Sequence, residues 1–260
     1  IEETYRPPDF LRDGNPIYPQ RASKVKEILK MKHFQTGDFK GKMITIFAAH
    51  DVAVWPPVLF NYLDLVKKRK GHLLDDYYRF YLVENATHGP PMSVEESFRT
   101  VSFSPMIGRA LDYLIEWVER NIAPPPSTKA ELSSENSLIM PHTAAERRGI
   151  QPIITKITAD GQTGVAKVPL CKPVKFNGIA EAPVGNIIKY EWYCQDLRDF
   201  YHEVRLKEPK VKVNTPYTYT FQQPGKYFAV LRVTSDLGGN PNILGGGQRN
   251  LARIRVIVKS

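Results

Sequence analysis

The chain has 260 residues, of which 42% are hydrophobic and 24% charged, with a formal net charge of +9. This composition excludes general disorder and collagen-like repeats, and the length accommodates two domains of ordinary size. No apolar stretch reaches the roughly 18 residues of a membrane-spanning helix, and the opening Ile-Glu-Glu-Thr lacks signal-peptide features, which favours a processed precursor or a fragment.

The first 40 residues carry little regular pattern. Residues 1–22 are rich in Pro, Arg and Asp and show no hydrophobic period, which predicts an irregular arm. Apolar residues at helical spacing behind a Ser23 cap then predict a short amphipathic helix over residues 23–33. The apolar, β-branched run at 43–49 predicts a strand buried on both faces.

A strand–helix–strand pattern follows. Residues 57–70 carry a helical apolar stripe that ends in a basic turn and Gly71, and residues 79–83 form a second apolar strand. This order predicts a right-handed crossover between two parallel strands. A further helix is predicted over residues 104–120, with an inward face of Ile107, Ala110, Leu111, Leu114, Ile115 and Val118.

The composition changes after this helix. Residues 127–152 contain Pro, Ser, Thr, Glu and Asn with little apolar periodicity, which predicts a linker between an α/β portion at 1–126 and an all-β domain at 153–260. In that domain, short alternating segments separated by Gly, Pro or Asn turns predict a β-sandwich. The predicted strands are 165–168, 174–177, 187–193, 217–221, 227–234 and 252–258.

The positive charge is concentrated in this second part. Residues 1–150 hold 20 Lys and Arg against 19 Asp and Glu, whereas residues 151–260 hold 16 against 8. Such a surface attracts polyanions such as nucleic acid, acidic polysaccharide or anionic cell wall, which makes an acidic polymer a candidate partner of the C-terminal domain. A merely soluble basic surface is the alternative, and it is favoured by the lack of an RNA- or DNA-binding motif.

Polar residues directly follow the two predicted parallel strands. Asp51 comes just after the first strand and His88 just after the second. Because the carboxyl ends of parallel strands form the ligand crevice of an open sheet, we expect the two side chains to meet there. A carboxylate that orients a histidine base belongs to a nucleophile–base–acid triad. The alternative is that Asp51 caps the next helix and His88 fills a loop.

The sequence around both residues resembles α/β-hydrolases of the tannase and feruloyl esterase group. The motif Ile-Phe-Ala-Ala-His-Asp at 46–51, followed by a Pro-containing turn, resembles that family's acid segment, and Glu-Asn-Ala-Thr-His-Gly at 84–89 its histidine segment. Residues 109–125 resemble its closing helix. The resemblance spans roughly residues 23–126 and implies that Asp51 is the catalytic acid and His88 the general base of an ester hydrolase.

The family's nucleophile motif, Gly-x-Ser-x-Gly, occurs nowhere in the chain. Ser23 lacks small neighbours, and Ser93 and Ser97 follow the histidine. The nucleophile and oxyanion hole are therefore expected from an N-terminal segment or a second chain packed beside the strand at 43–49. The chain is then part of a split enzyme or of a longer polypeptide, and the uncovered apolar strand disfavours a degenerate non-enzyme.

A second resemblance concerns the C-terminal part. Residues 188–193, 215–221 and 224–234 resemble a polycystic-kidney-disease (PKD) type domain, an Ig-like sandwich of extracellular proteins. The resemblance implies a secreted, cell-surface or periplasmic protein. The family's Asp-Phe-Gly-Asp-Gly turn is replaced by Cys-Gln-Asp-Leu-Arg-Asp at 194–199, and Trp192 is predicted to be a core residue.

No metal or cofactor is predicted. Cys171 and Cys194 have neither zinc nor redox-pair spacing, and whether they form a disulfide is left open. Asp196 and Asp199 lack an intervening Gly and are predicted to be solvated rather than to bind calcium. His50 is predicted to be structural, and His33, His72, His142 and His202 fall on polar stretches that support no metal site.

Together these patterns predict an α/β plus all-β chain, with a partial α/β-hydrolase parallel sheet and its helices followed by an Ig-like β-sandwich. The predicted function is the acid and base half of an exported serine ester hydrolase. The alternative is a non-catalytic binding protein that keeps the hydrolase scaffold and uses the basic sandwich to bind a polyanion or a cell-surface polymer.

Overall fold

The computed structural model describes residues 11–13, 15–17, 23–25, 27, 35–194, 202–243 and 246–259. In this part of the chain a small parallel β-α-β unit is followed by a β-sandwich. No helix among the described residues has the length and apolar character that a membrane crossing requires.

The N-terminal arm differs from the irregular segment that was predicted. β1 (Leu11–Arg12) and β2 (Asn15–Pro16) pair antiparallel as a short ladder. Strands of two residues are too short to show a hydrophobic period, which is why the sequence pattern missed them. Residues 23–25 and 27 are helical, and the other positions of the predicted helix at 23–33 lie outside the described residues.

The predicted strand–helix–strand unit is present. β3 (Met43–Ala48) and β4 (Tyr78–Val83) pair in parallel, with α1 (Pro56–Lys70) between them in the chain. A 3-10 turn (Gly71–Leu73) and α2 (Leu74–Tyr77) join this helix to β4. The helix and one face of β4 share a core of Leu59, Leu63, Val66, Tyr78, Phe80 and Leu82.

The two parallel strands differ in how fully they are covered. All six residues of β4 are buried, whereas all six residues of β3 are only half-buried. One edge of β4 is covered because the Thr128 amide donates to the Phe80 carbonyl at 3.0 Å. Among the described residues, β3 pairs with β4 and with no other strand. The prediction that β3 is buried on both faces is therefore wrong: apolar neighbours cover each face only in part, and no second strand among the described residues covers its other edge.

Two helices follow the loop that carries His88. α3 (Val94–Ser97) is a single turn, and its Ser93 cap accepts the Glu96 amide at 3.1 Å. The long helix α4 (Ser104–Arg120) comes next and contacts β3.

The helix α4 buries a face that only partly matches the predicted one. Its buried residues are Met106, Ala110 and Trp117. The predicted inward position is confirmed for Ala110 and wrong for four of the other residues, because a hydrophobic stripe indicates which face is apolar, not whether the described chain covers it. Four of the residues predicted to point inward are instead 46–60% exposed, and we call them the α4 stripe: Ile107, Leu111, Ile115 and Val118.

The segment predicted as a linker is packed against its neighbours. It contains the paired strands β5 (Glu131–Leu132) and β6 (Leu138–Ile139), and the short helix α5 (Ala144–Arg147). Arg147 and Gln151 are buried there, although both are polar. The packing of the segment depends on buried polar contacts, which leave no apolar period in the sequence.

Two sheets form the C-terminal sandwich. The strands of the domain are β7 (Ile153–Ala159), β8 (Val165–Pro169), β9 (Pro173–Glu181), β10 (Asn186–Tyr193), β11 (His202–Lys210), β12 (Lys212–Asn214), β13 (Tyr217–Thr220), β14 (Gly225–Asp236) and β15 (Gln248–Lys259). One sheet has the order β11-β10-β14-β15-β8, and in the other β9 pairs with β12, β13 and β7. All pairs are antiparallel except β15 with β8.

All six predicted strands of the sandwich are present, and most extend beyond their predicted bounds. The pattern missed β7, β11 and β12. β7 begins at the edge of the predicted linker, and β11 has the charged sequence His-Glu-Val-Arg-Leu-Lys-Glu-Pro-Lys, which shows little apolar alternation.

Trp192 lies in the core of the sandwich, as predicted. Its side chain is fully buried, and its indole N–H donates to the Thr215 carbonyl at 2.8 Å. Its ring centroid lies 5.4 Å from that of Phe176 on the facing sheet. The hydrogen bond satisfies the single polar group of the indole, so the large ring is buried without an unpaired donor.

Gly178 on β9 tests how tightly this core is packed. A Cβ at this position would overlap the side chains of Leu231 and Thr215. We therefore expect Gly178→Ala to lower the free energy of unfolding by about 1–3 kcal/mol, measured by urea unfolding. Gly108 on α4 is the control, because a Cβ there meets open space, and Gly108→Ala is expected to raise that free energy by about 0.5–1 kcal/mol. Equal effects of the two substitutions would contradict this account.

Candidate functional site

The structure brings Asp51 and His88 together. Asp51 Oδ2 lies 2.9 Å from His88 Nδ1, which is hydrogen-bonding distance. Both residues follow the carboxyl ends of paired parallel strands, so the pairing of β3 with β4 brings their loops side by side. The predicted meeting of the two side chains is confirmed.

The Asp51 carboxylate also shapes its own loop. Asp51 Oδ1 accepts the backbone amides of Ala53 at 2.8 Å and Val54 at 2.9 Å. The residue that caps α1 is Trp55, which makes no side-chain cap hydrogen bond. Asp51 therefore fixes the turn that precedes the helix, and its second oxygen holds His88.

These contacts determine the charge of Asp51. Burial acts to raise the pKa of Asp51, but hydrogen bonds from Val54, His88 and Ala53 outweigh it and bring the pKa below its ordinary value of 3.8. The side chain is consequently a carboxylate at neutral pH, and an ionised carboxylate can only accept hydrogen bonds. We therefore assign the proton of neutral His88 to Nδ1, which leaves Nε2 as an acceptor.

The far side of the His88 ring is open. The side chain is 67% exposed, in contrast to 10% for Asp51. No described residue forms a hydrogen bond with His88 Nε2. The imidazole is thus oriented from one side by Asp51 and accessible from the other.

His50 supports the loop that leads to His88. Its backbone amide donates to the Ala86 carbonyl at 2.9 Å, and its Nδ1 accepts the Asn85 amide at 3.0 Å. These contacts join the loop after β3 to the loop after β4. The predicted structural role of His50 agrees with this position.

The loop after β4 is also anchored on the sandwich by Asn250 of β15. Asn250 Nδ2 donates to Glu84 Oε2 and to the Pro152 carbonyl, both at 2.9 Å. Asn250 Oδ1 accepts from Asn85 Nδ2 at 2.9 Å and from the Leu251 amide at 2.8 Å. Because Asn250 is 1% exposed, its side-chain amide uses its full hydrogen-bonding capacity within the protein.

Two residues of the predicted linker, Arg147 and Gln151, also contact Glu84. Together with Glu84, Asn85 and Asn250 they form what we call the polar junction. Arg147 Nη1 lies 2.6 Å from Glu84 Oε2, an ion pair with the arginine side chain 9% exposed. Gln151 Oε1 accepts the Glu84 amide at 2.7 Å, and Gln151 Nε2 donates to the carbonyls of Glu84 and Arg249. The α/β unit, the linker and the sandwich therefore meet around one glutamate, shortly before His88.

An apolar cluster lies at the same junction. Beside it, the rings of Phe98 and Tyr193 pack edge to face with centroids 4.3 Å apart. The sandwich is thus part of the scaffold that holds the His88 loop. The buried members of the cluster come from the α/β unit, from Ile150 and from β14 and β15: Tyr81, Val83, Ala86, Val101, Met106, Ile150, Val230 and Leu251.

Sequence reasoning missed the residues of this junction. Glu84 and Asn250 are separated by 166 positions, and no local period or motif links them. One weak feature of the sequence points to Glu84 and Asn85. These two polar residues lie between the end of an apolar strand and the predicted site residue His88.

The cysteines form no further site among the described residues. Cys171 and Cys194 are both free thiols, and burial raises the pKa of the Cys194 thiol, which keeps it protonated. Asp196 and Asp199 lie outside the described residues. Within the described ranges, no group of three or more His, Cys, Asp or Glu side chains is arranged to hold a metal ion.

Comparisons with known proteins concern the fold. No family model and no curated protein matches the chain. A CARDB domain from Pyrococcus furiosus is 18% identical over 42% of this chain and 89% of its own, with a TM-score of 0.29. Fibronectin(III)-like modules of Clostridium thermocellum CbhA are 10% identical over 53% of this chain and 66% of theirs, also with a TM-score of 0.29.

A β-glucosidase from Listeria innocua covers 92% of this chain and 39% of its own, with 10% identity and a TM-score of 0.26. Matches at these TM-scores carry no conclusion about activity. The C-terminal domain is a β-sandwich, as its two packed sheets show. The parallel sheet of the described α/β part has two strands, so the larger sheet of an α/β-hydrolase is not shown.

Asp51 gives a prediction about pH. Because its pKa is lowered in the folded state, its contribution to stability is present above pH 3.8 and is lost as the pH falls through the folded-state pKa. We expect Asp51→Asn to lower the free energy of unfolding by about 1 kcal/mol at pH 7. This difference between the variant and the parent protein is expected to narrow below about pH 4. Asp64→Asn, in an exposed helical pair, is the control and is expected to change it by less than about 0.5 kcal/mol. A pH-independent effect of Asp51→Asn would contradict the assignment.

Asn250 gives a prediction about the His88 loop. Asn250→Ala removes buried hydrogen bonds to Glu84, to Asn85 and to the Pro152 carbonyl, so we expect the free energy of unfolding to fall by about 1–3 kcal/mol. Amide hydrogen exchange of residues 84–88 is expected to accelerate in the folded protein. Asn242→Ala, at an exposed loop position, is expected to change neither quantity, and unaltered exchange at 84–88 in Asn250→Ala would show that the junction does not hold the loop.

Proposed function

We propose that this chain supplies the acid and the general base of a serine ester hydrolase whose nucleophile lies on polypeptide outside the chain. The observation that supports this most directly is the hydrogen bond between Asp51 and His88 Nδ1, which leaves Nε2 accessible. This is the relation of acid to base in a Ser-His-Asp triad.

The proposed chemistry follows from the assigned protonation states. His88 Nε2 takes the proton of a serine hydroxyl as the serine oxygen attacks the ester carbonyl, and the imidazolium then gives that proton to the departing alcohol. Water repeats the two steps on the acyl-enzyme and releases the acid. Asp51 remains ionised throughout, holds the Nδ1 tautomer and stabilises the imidazolium.

Two uncovered surfaces support the proposal that a further polypeptide segment carries the nucleophile. The six residues of β3 have a strand partner on one edge within the described chain, and backbone groups on an open edge favour pairing with another strand. The α4 stripe exposes four aliphatic side chains on a helix that packs near β3. We propose that the nucleophile-bearing segment pairs with β3 and covers this stripe.

The substrate class and location are also part of the proposal. An ester is preferred to a peptide or a lactone because of the resemblance to the tannase and feruloyl esterase group. A secreted, cell-surface or periplasmic location is proposed from the resemblance of the sandwich to PKD-type domains.

A fluorophosphonate probe tests the proposed activity. The protein is isolated under native conditions from its source with everything that remains bound, then labelled and separated under denaturing conditions. We expect the label on a serine in Gly-x-Ser-x-Gly outside these 260 residues. We expect His88→Gln to slow labelling by about 100-fold or more, because the general base is lost.

His72→Gln is the matched control, because His72 is an exposed histidine in the turn before α2. It is expected to label at the parent rate. Parent-rate labelling of a folded His88→Gln variant would remove His88 from the mechanism. A label on the 260-residue chain itself would contradict the external nucleophile.

A further inference from the structure

One part of the sandwich surface carries five cations on a single sheet face. Along β15, Ile254 and Val256 point into the core, and the alternate positions between and beside them point outward. The same alternation holds on β8 and on the first residues of β14, where Lys226 and Phe228 are exposed. We call the following group the cationic face: Lys167, Lys226, Arg253, Arg255 and Lys259.

Strand pairing makes this face continuous. Arg255 lies opposite Phe228 of β14 on one side and Val165 of β8 on the other. Ile257 lies opposite Lys226 and Lys167 in the same way. Because paired strands are about 4.8 Å apart and alternate residues of one strand about 6.8 Å apart, the five cations belong to one patch.

The charges of this patch are not neutralised within the described chain. None of the five side chains forms an ion pair with a described carboxylate. On β10 and β14 of the same sheet, by contrast, Lys189 and Arg232 both contact Glu191 at 2.8–3.2 Å. The same sheet therefore has a charge-paired region and an uncompensated one.

An exposed aromatic ring lies within the cationic face. Phe228 is 51% exposed, and the guanidinium carbons of Arg253 and Arg255 lie 5.7 and 5.3 Å from its ring centroid. Both distances are within the range of a cation–π contact. The arginines are thus positioned beside an apolar surface that is open to solvent.

The face continues into a groove of about 310 Å³. Lys226, Phe228 and Arg253 line it from the sandwich, and Arg99 of the α/β part adds a further cation. Glu95 is the one carboxylate among its described lining residues. The volume is near the lower end of the range of about 300–1,000 Å³ for ligand sites, which suits a short stretch of a polymer.

We propose that the cationic face and this groove bind a polyuronate, a linear polysaccharide that carries carboxylates along its sugars. Guanidinium groups pair with carboxylates through two parallel hydrogen bonds. The C–H face of a pyranose ring is apolar and can pack on an exposed aromatic ring such as Phe228. A chain of such sugars offers both features at every unit.

Nucleic acid fits this face less well. Proteins that bind single strands stack successive bases on several aromatic rings. Phe228 is the one exposed ring beside the five cations, and the other described rings that line the groove, Phe98, Tyr193 and Tyr227, are half-buried. A protein that reads the sequence of a DNA duplex inserts a helix or a two-stranded β-ribbon into the major groove of the DNA. The cationic face instead belongs to a five-stranded sheet.

This inference does not depend on the proposed hydrolase activity, because Asp51 and His88 are not part of the face. Binding of the 260-residue chain to polygalacturonate is measured at low and at physiological salt. We expect saturable binding that weakens with salt, because exposed charges are screened. Fully methyl-esterified polygalacturonate, which lacks the carboxylates, is expected not to bind.

Matched variants distinguish binding at the cationic face from attraction by the overall positive charge of the domain. Arg253→Gln/Arg255→Gln is expected to weaken binding about tenfold or more, since two charge-assisted contacts are lost. Lys172→Gln/Lys175→Gln removes the same charge from exposed positions before and on β9, in the other sheet, and is expected to bind like the parent. Phe228→Ala is expected to weaken binding without changing its salt dependence. Thermal unfolding of each variant verifies folding.

Several outcomes would overturn the proposal. Absence of binding, or equal weakening by the two double variants, would show a basic surface without a site. Tighter binding of heparin would indicate a preference for sulfate over carboxylate. Tighter binding of single-stranded DNA at the same salt would assign the face to nucleic acid instead.

Discussion

The parallel pairing of β3 with β4 is the constraint on which the candidate site depends. It places the carboxyl ends of both strands at one edge, so that the side chains of Asp51 and His88 meet at 2.9 Å. Two further contacts at this edge, between His50 and Ala86 and between His50 and Asn85, keep the loops together. A shift in strand register would separate the carboxylate from the imidazole.

The sandwich contributes to the same site through a buried polar junction. Asn250, Arg147 and Gln151 converge on Glu84 and Asn85, and an apolar cluster packs beside them. Buried polar groups are costly unless they are paired, and here each contact ties a different segment to the loop before His88. The β-sandwich is consequently a structural support of the α/β unit and not merely an appended module.

Two kinds of surface in the described chain lack the partners that their chemistry favours. The α4 stripe is apolar and the open edge of β3 carries backbone hydrogen-bonding groups, and both are suited to another polypeptide. The cationic face has charge without a described counter-charge, and it is suited to an anionic partner. This difference in chemistry separates the two proposals.

The sequence by itself determined the strand–helix–strand unit, the sandwich strands with clear alternation, and the pair Asp51 and His88, because these follow from local periods and from residues placed after strand ends. Only the tertiary structure decided the covered face of α4, the packing of 127–152 and the role of Asn250. Burial depends on which neighbours are present, and hydrogen bonds between positions as distant as 84 and 250 leave no local pattern. The cationic face likewise required strand register, which brings β8, β14 and β15 side by side.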